Sequence, residues 1–104
     1  MFEHAEKQYE LKFNIGRLKL IEKAGDGKGV LVQLASGDNG LMSIDALERF
    51  FSYGLKEAGA DTFLPPKKAA EICDEIIAEE GYAQAVKLVQ EQVMKDCPFL
   101  FRVA

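Results

Sequence analysis

The residues able to do chemistry in this 104-residue chain are few, and their spacing decides how far each can be taken. General acid–base or nucleophilic catalysis needs a base within hydrogen-bond reach of its partner, and histidine fills that role most often. The chain has one histidine, His4, in a predicted edge strand with nothing nearby in sequence placed to orient it, so an exposed ring is expected rather than a catalytic one. Cys73 and Cys97 have the wrong number and spacing for a zinc site and are too few for a secreted disulfide scaffold; reduced thiols in a cytoplasm are expected. Cys73 falls on the apolar face of a predicted helix and reads as a small buried hydrophobe, while Cys97 sits at a helix end beside Asp96.

Glu71, Glu75 and Glu79 recur every four residues, with Asp74 and Glu80 nearby. A hard cation wants oxygen ligands converging from more than one element, so this stripe reads as the solvated face of a helix. The glycines of Gly25-Asp-Gly-Lys-Gly29 lack the order of a phosphate-binding loop. No catalytic residue, metal or other cofactor is expected, and the chain reads as a binding protein rather than an enzyme. The residues left for contact with a partner are Phe50 and Tyr53, at the margin of a helical stripe, and Phe99, Leu100 and Phe101, a terminal apolar run after a proline.

The elements that must position these residues follow from periodicity. Phe2 to His4 and Gln8 to Phe13 read as two short strands, because Tyr9, Leu11 and Phe13 alternate with Glu10 and Lys12. At Asn14 the period changes from two to that of a helix, and Ile15, Leu18 and Ile21 form its stripe. Asn14 suits the N-cap, Phe13 and Leu18 the flanking hydrophobic staple, and Gly25 a left-handed C-terminal cap. Val30 to Ala35 is too short to assign by period and is read as helix; Gly37-Asp38-Asn39-Gly40 reads as a turn or loop. Ser43 then caps a central helix whose stripe of Ile44, Leu47, Phe51, Leu55 and Ala58 runs to Gly59. Pro65-Pro66 opens a helix bearing Ala69, Ile72, Cys73, Ile76 and Ile77. Gly81 breaks or kinks the pattern, and Tyr82, Ala85, Val86, Val89 and Val93 form a last stripe before Pro98.

The expected fold is α+β and mainly α, a short N-terminal β-hairpin followed by four to five packed helices. It forms one domain over 1–104, with the hairpin at 1–13, the helical part at 14–97 and an apolar tail at 98–104. A chain of this size can bury a cooperative core without metal or disulfide. Its 17 acidic and 13 basic residues leave a net charge of −4 with no basic stripe, which disfavours nucleic acid as a partner. No apolar run approaches the roughly 18 residues that would span a bilayer, so no membrane partner is expected, and no signal peptide opens the chain.

Over roughly residues 7 to 95, the order Tyr9-Glu-Leu-Lys-Phe-Asn-Ile-Gly-Arg-Leu-Lys-Leu-Ile-Glu-Lys23, then Ser43-Ile-Asp-Ala-Leu-Glu-Arg-Phe-Phe-Ser-Tyr-Gly-Leu-Lys56, then an acidic helical pair, resembles the tail assembly chaperones of long-tailed bacteriophages and prophages of Gram-positive bacteria. The resemblance implies a late, non-enzymatic protein of the host bacterial cytoplasm. Such a protein binds the tape measure protein and keeps its apolar helical surface soluble while tail tube protein subunits polymerise around it. It implies a shorter product that a ribosomal frameshift can extend, and it carries no defined functional residues across. Apolar groove surface of this kind also suits a homo-oligomer. The alternatives are a small regulatory or adaptor protein that binds another partner helix, and a small metal-dependent enzyme domain built on the Glu71, Glu75 and Glu79 face.

Overall fold

A computed structural model describes residues 1–37 and 42–101. It is an α+β, mainly α fold. Strands β1 (Phe2–His4) and β2 (Lys7–Leu11) form the expected hairpin, paired antiparallel as Phe2↔Tyr9, Glu3↔Gln8 and His4↔Lys7. Alternation places Tyr9 and Leu11 in the core with Phe13 beyond them, and Phe2 leans on Tyr9 at a ring separation of 6.1 Å.

Helix α1 (Ile15–Ala24) begins where the period changes. The Asn14 side chain accepts the Arg17 N–H at 2.9 Å, satisfying one donor of the open first turn, and Phe13 and Leu18 are both buried beside it. Gly25 is the C-cap, its N–H donating to the Ile21 and Glu22 carbonyls, but its φ is −95°; the left-handed residues are Asp26 (φ 59°) and Gly27 (φ 83°) just beyond it, which corrects the expected handedness of the cap. Gly25 answers to space instead: a Cβ there would lie 2.7 Å from Gln33 Nε2.

Helix α2 (Val30–Leu34) is five residues long, too short to hold its shape alone. Its anchor is Gln33, a fully buried polar residue whose amide is spent on three elements. Nε2 donates to the Ile21 carbonyl at 3.2 Å and to the Lys28 carbonyl at 2.8 Å, and Oε1 accepts from Arg49 Nε at 2.8 Å. Glu22 accepts the Val30 N–H at 3.0 Å, closing the helix start. The turn expected at Gly37 to Gly40 lies, beyond Gly37, outside the described residues.

Helix α3 (Ile44–Gly54) is the centre of the molecule and packs against α1, α4 (Pro66–Glu80) and α5 (Tyr82–Asp96). Ser43 caps it by accepting the Ala46 N–H at 3.1 Å, and Ala46, Leu47, Phe50, Phe51 and Gly54 face inward. The helix ends at Gly54, five residues before the expected Gly59. Leu55–Glu57 becomes a third strand, β3, paired antiparallel to β2 as Leu11↔Leu55, Glu10↔Lys56 and Tyr9↔Glu57. The reason is tertiary: β2 has a second edge whose backbone groups must be satisfied. The Lys12 N–H to Gly54 carbonyl bond at 2.8 Å and the Ala58 N–H to Gln8 carbonyl bond at 2.9 Å extend the pairing at both ends.

Helices α4 and α5 are separated at Gly81 (φ 102°), where the sequence pattern expects a break, and pack on one another. Their inner stripes, Ala69, Ile72, Cys73 and Ile76 against Ala85, Val86, Val89 and Val93, close the core. Asp96, the last residue of α5, accepts the Phe13 N–H at 2.9 Å and so ties the end of the helical layer to the sheet. A single turn of 3₁₀ helix, Pro98–Phe101, follows; positions 102–104 of the expected tail lie outside the described residues.

Candidate functional site

The inner stripe of α5 is consumed by the core, and the next row round the helix, Gln90 and Met94, is left at the surface. Two neighbours are brought to that row by local devices. The Gln33 network fixes α2 so that Leu34 packs on the core at this end of the molecule. Buried Cys97 then starts the terminal turn, its N–H donating to the Val93 carbonyl at 2.8 Å, while Leu100 donates back to the Cys97 carbonyl at 3.1 Å and packs inward. That turn carries Phe101 over the side of α5.

The result is an open groove of about 200 Å³ lined by Leu34, Gln90, Val93, Met94 and Phe101. Four of the five lining side chains are apolar. Met94 is 64% exposed and Phe101 49%, so the groove opens to solvent through two large apolar side chains. The volume is below that of a cofactor or drug-sized pocket but accommodates a large side chain from a second protein. Gln90 is the one lining residue able to hydrogen-bond a partner through its side-chain amide.

The five residues expected to contact a partner divide. Phe101 lines the groove, and Phe99 is exposed on the same turn. Leu100 is partly buried against the core. Tyr53 also packs on the core, and its carbonyl accepts from Arg17 Nη1 at 3.4 Å, on the side where the Arg17 guanidinium covers the Phe63 ring at 3.7 Å. Phe50 is a correction. It has no exposed surface and meets Phe13 edge-on at a ring separation of 5.7 Å, so it supports the fold and touches no partner. Sequence reasoning missed Met94 and Leu34. Met94 directly follows Val93 of the inner stripe, and its exposure depends on which row α4 covers; Leu34 lay in a segment too short for its period to be read.

The ionisable groups form two arrangements on α4. His4, expected to be exposed, is buried, with Nε2 2.7 Å from Glu75 Oε1 and Nδ1 3.7 Å from Glu79 Oε2. The second and third members of the acidic stripe therefore meet the N-terminal strand rather than only solvent. On the other side of α4, Asp74 faces Glu48 of α3. A hydrogen bond to Asp74, then burial, then the charges of Asp74 and Asp45 push the Glu48 carboxyl up to about 7. The Cys73 thiol, buried and near both carboxylates, is pushed up to about 12, and burial together with Asp96 raises that of Cys97. Both cysteines are free and stay protonated at neutral pH, which leaves them without thiolate reactivity. Among the described residues no three His, Cys, Asp or Glu side chains gather as a metal site, and no helix is long and apolar enough to cross a membrane.

The Glu48–Asp74 pair sets a sign for stability against pH. The folded protein holds more protons than the unfolded chain between about 4.5 and about 7, so stability falls as pH rises through that window and the contribution is gone above it. Glu48→Gln keeps a donor for Asp74 and removes the charge. After allowance for solvent screening around exposed Asp74, the variant is expected to gain about 1 kcal/mol at pH 8 and to flatten the slope from pH 5 to 8. Urea denaturation at a series of pH values checks both outcomes.

Comparison with protein-family models, with characterised proteins and with solved structures gives no match to this chain.

Proposed function

We propose that the protein is a non-enzymatic tail assembly chaperone that takes an apolar helical segment of the tape measure protein into the groove between α2, α5 and the terminal turn. The observation that carries this reading is the groove itself: Leu34, Val93, Met94 and Phe101 offer an apolar seat of about 200 Å³, with Met94 and Phe101 exposed at its mouth. An amphipathic helix presents side chains at i, i+3, i+4 and i+7, and one large residue of such a row fills a seat of this size while its neighbours cover exposed Met94 and Phe101. The likeness of Tyr9 to Lys23 and Ser43 to Lys56 to phage tail chaperones supplies the identity of the partner. Tail tube subunits then assemble around a tape measure kept soluble in the host cytoplasm.

Co-expression with the tape measure protein of the same genome tests the reading. Retention of that protein in the soluble fraction and its co-purification are expected, and unchanged soluble yield together with no co-purification sinks it. Met94→Asp places a charge in the seat at an exposed position, so the fold should change by less than about 0.5 kcal/mol while captured partner falls at least tenfold. Thermal melts alongside the pull-down separate the two effects.

A further inference from the structure

Oxidisable sulfur is distributed unevenly in this protein. The chain has three methionines and two cysteines. Cys73 and Cys97 are free and buried, and their thiols stay protonated, so they offer little of the thiolate that peroxides attack. Met42 has no exposed surface, and an oxidant reaches it only when the core opens. Two accessible sulfurs remain. Met1 is 82% exposed at the first residue and is no part of the groove, whereas Met94 is 64% exposed and forms part of its lining.

A thioether is apolar and polarisable, and its flexible chain adapts to whatever packs on it. Its sulfur lone pair also attacks the outer oxygen of a hydroperoxide. The S–O bond forms as the O–O bond breaks, and the hydrogen on the transferred oxygen passes to the leaving oxygen, which departs as water or an alcohol. Sulfur is oxidised by two electrons and the peroxide is reduced by two; the product is a polar, chiral sulfoxide. We propose that Met94 is a modification site of the groove: a hydroperoxide converts it to the sulfoxide, and the groove then no longer accepts an apolar side chain. The inference rests on the groove being a docking seat.

The lining decides why one oxygen atom has this effect. Leu34, Val93 and Phe101 carry no side-chain donor, and Gln90, one helical turn before Met94 on α5, carries the lining's only amide. In the open groove, water and Gln90 both solvate the sulfoxide oxygen. An incoming apolar side chain strips that water and returns no hydrogen bond, so the oxidised groove is stabilised empty and destabilised filled. The fold is indifferent to the change. Met94 stands outside the inner stripe of α5, and its sulfur is not among the groups that close the core.

Graded oxidation of the full chain by hydrogen peroxide tests the site, with peptide mass mapping, a thermal melt and the fluorescence of the apolar dye anilinonaphthalenesulfonate read on each sample. Met94 is expected to oxidise at least about tenfold faster than Met42. Dye fluorescence should fall about threefold in step with Met94 sulfoxide, while the melting temperature moves by less than about 2 °C. Met94→Leu, at whatever level it binds the dye, should be unchanged by peroxide; because it keeps Met1, that result assigns the effect to Met94. A Met94 no more reactive than Met42, dye binding that survives full Met94 oxidation, an equal loss in peroxide-treated Met94→Leu, or an untreated groove that binds no dye each overturns the proposal. Capture of the tape measure protein is scored separately on the same samples, and its absence from the untreated protein counts against the chaperone reading alone.

Discussion

Replacing Phe50 by alanine is expected to destabilise the protein by about 4 kcal/mol, because the ring is wholly buried and removing it leaves a cavity that α3 cannot collapse. Three contacts fix that environment. Phe13 stands edge-on to the ring, Phe51 and Leu47 bury the adjoining faces of the same helix, and Gly54 lets Phe13 come close enough to touch it. For a domain of this length such a loss corresponds to roughly 20 °C in melting temperature and to a large share of the total folding free energy. Urea denaturation measures it directly. A loss under 1 kcal/mol would return Phe50 to the surface role that its place at the helix margin suggests in sequence.

Gly54→Ala is the second large effect, and its sign is informative. In a helix interior alanine is favoured over glycine by about 1 kcal/mol, and Gly54 has an ordinary backbone conformation, so propensity alone predicts stabilisation. Space predicts the opposite. A Cβ at this position would lie 2.4 Å from Phe13 Cε1 and 2.9 Å from Cζ, inside any real contact. Phe13 cannot retreat, since its ring is packed on Phe50 and its N–H is bonded to Asp96. The Gly54 carbonyl is itself held by the Lys12 N–H, so the helix end cannot shift outward without losing the start of the β2–β3 pairing. The net cost is expected to be about 3 kcal/mol. Combining Gly54→Ala with Phe13→Leu should cost less than the sum of the two single changes by at least about 1 kcal/mol, since the shorter side chain makes room. Additive costs would place the strain elsewhere.

Both predictions concern the junction of α3 and β3, where sequence and structure part. The stripe of Ser43 to Phe51 gave the helix and its cap, because those features act within a few residues of one another. The end of the helix did not follow, since Leu55, Lys56 and Glu57 read equally well as one more turn. They became a strand because β2, more than forty residues earlier in the chain, has backbone groups that only a partner strand can satisfy. Gly54 carries two meanings that a pattern cannot separate, a widened apolar stripe and a surface against which an aromatic ring must fit.

The site divides in the same way. Phe101 and Phe99 were visible as apolar residues on a terminal segment, and they are indeed left partly exposed. Leu34 and Met94 were not visible, because α2 is held by Gln33 rather than by its own period, and a buried glutamine that joins Ile21, Lys28 and Arg49 has no signature in one dimension. His4 illustrates the limit most sharply. Its neighbours in sequence gave no orienting group, whereas its neighbours in space are Glu75 and Glu79.

By itself the sequence determined the fold class, the strand-to-helix switch at Asn14, the caps at Asn14 and Ser43, the break at Gly81 and the inner stripes of α4 and α5. Each of these rests on forces that act over one or two turns of backbone. Tertiary structure alone decided the third strand, the burial of Phe50, Gln33 and His4, and which row of α5 stays open beside Leu34 and Phe101. Those outcomes depend on which distant surfaces meet, because desolvation and hydrogen-bond satisfaction are properties of the assembled layers and not of any local run of residues.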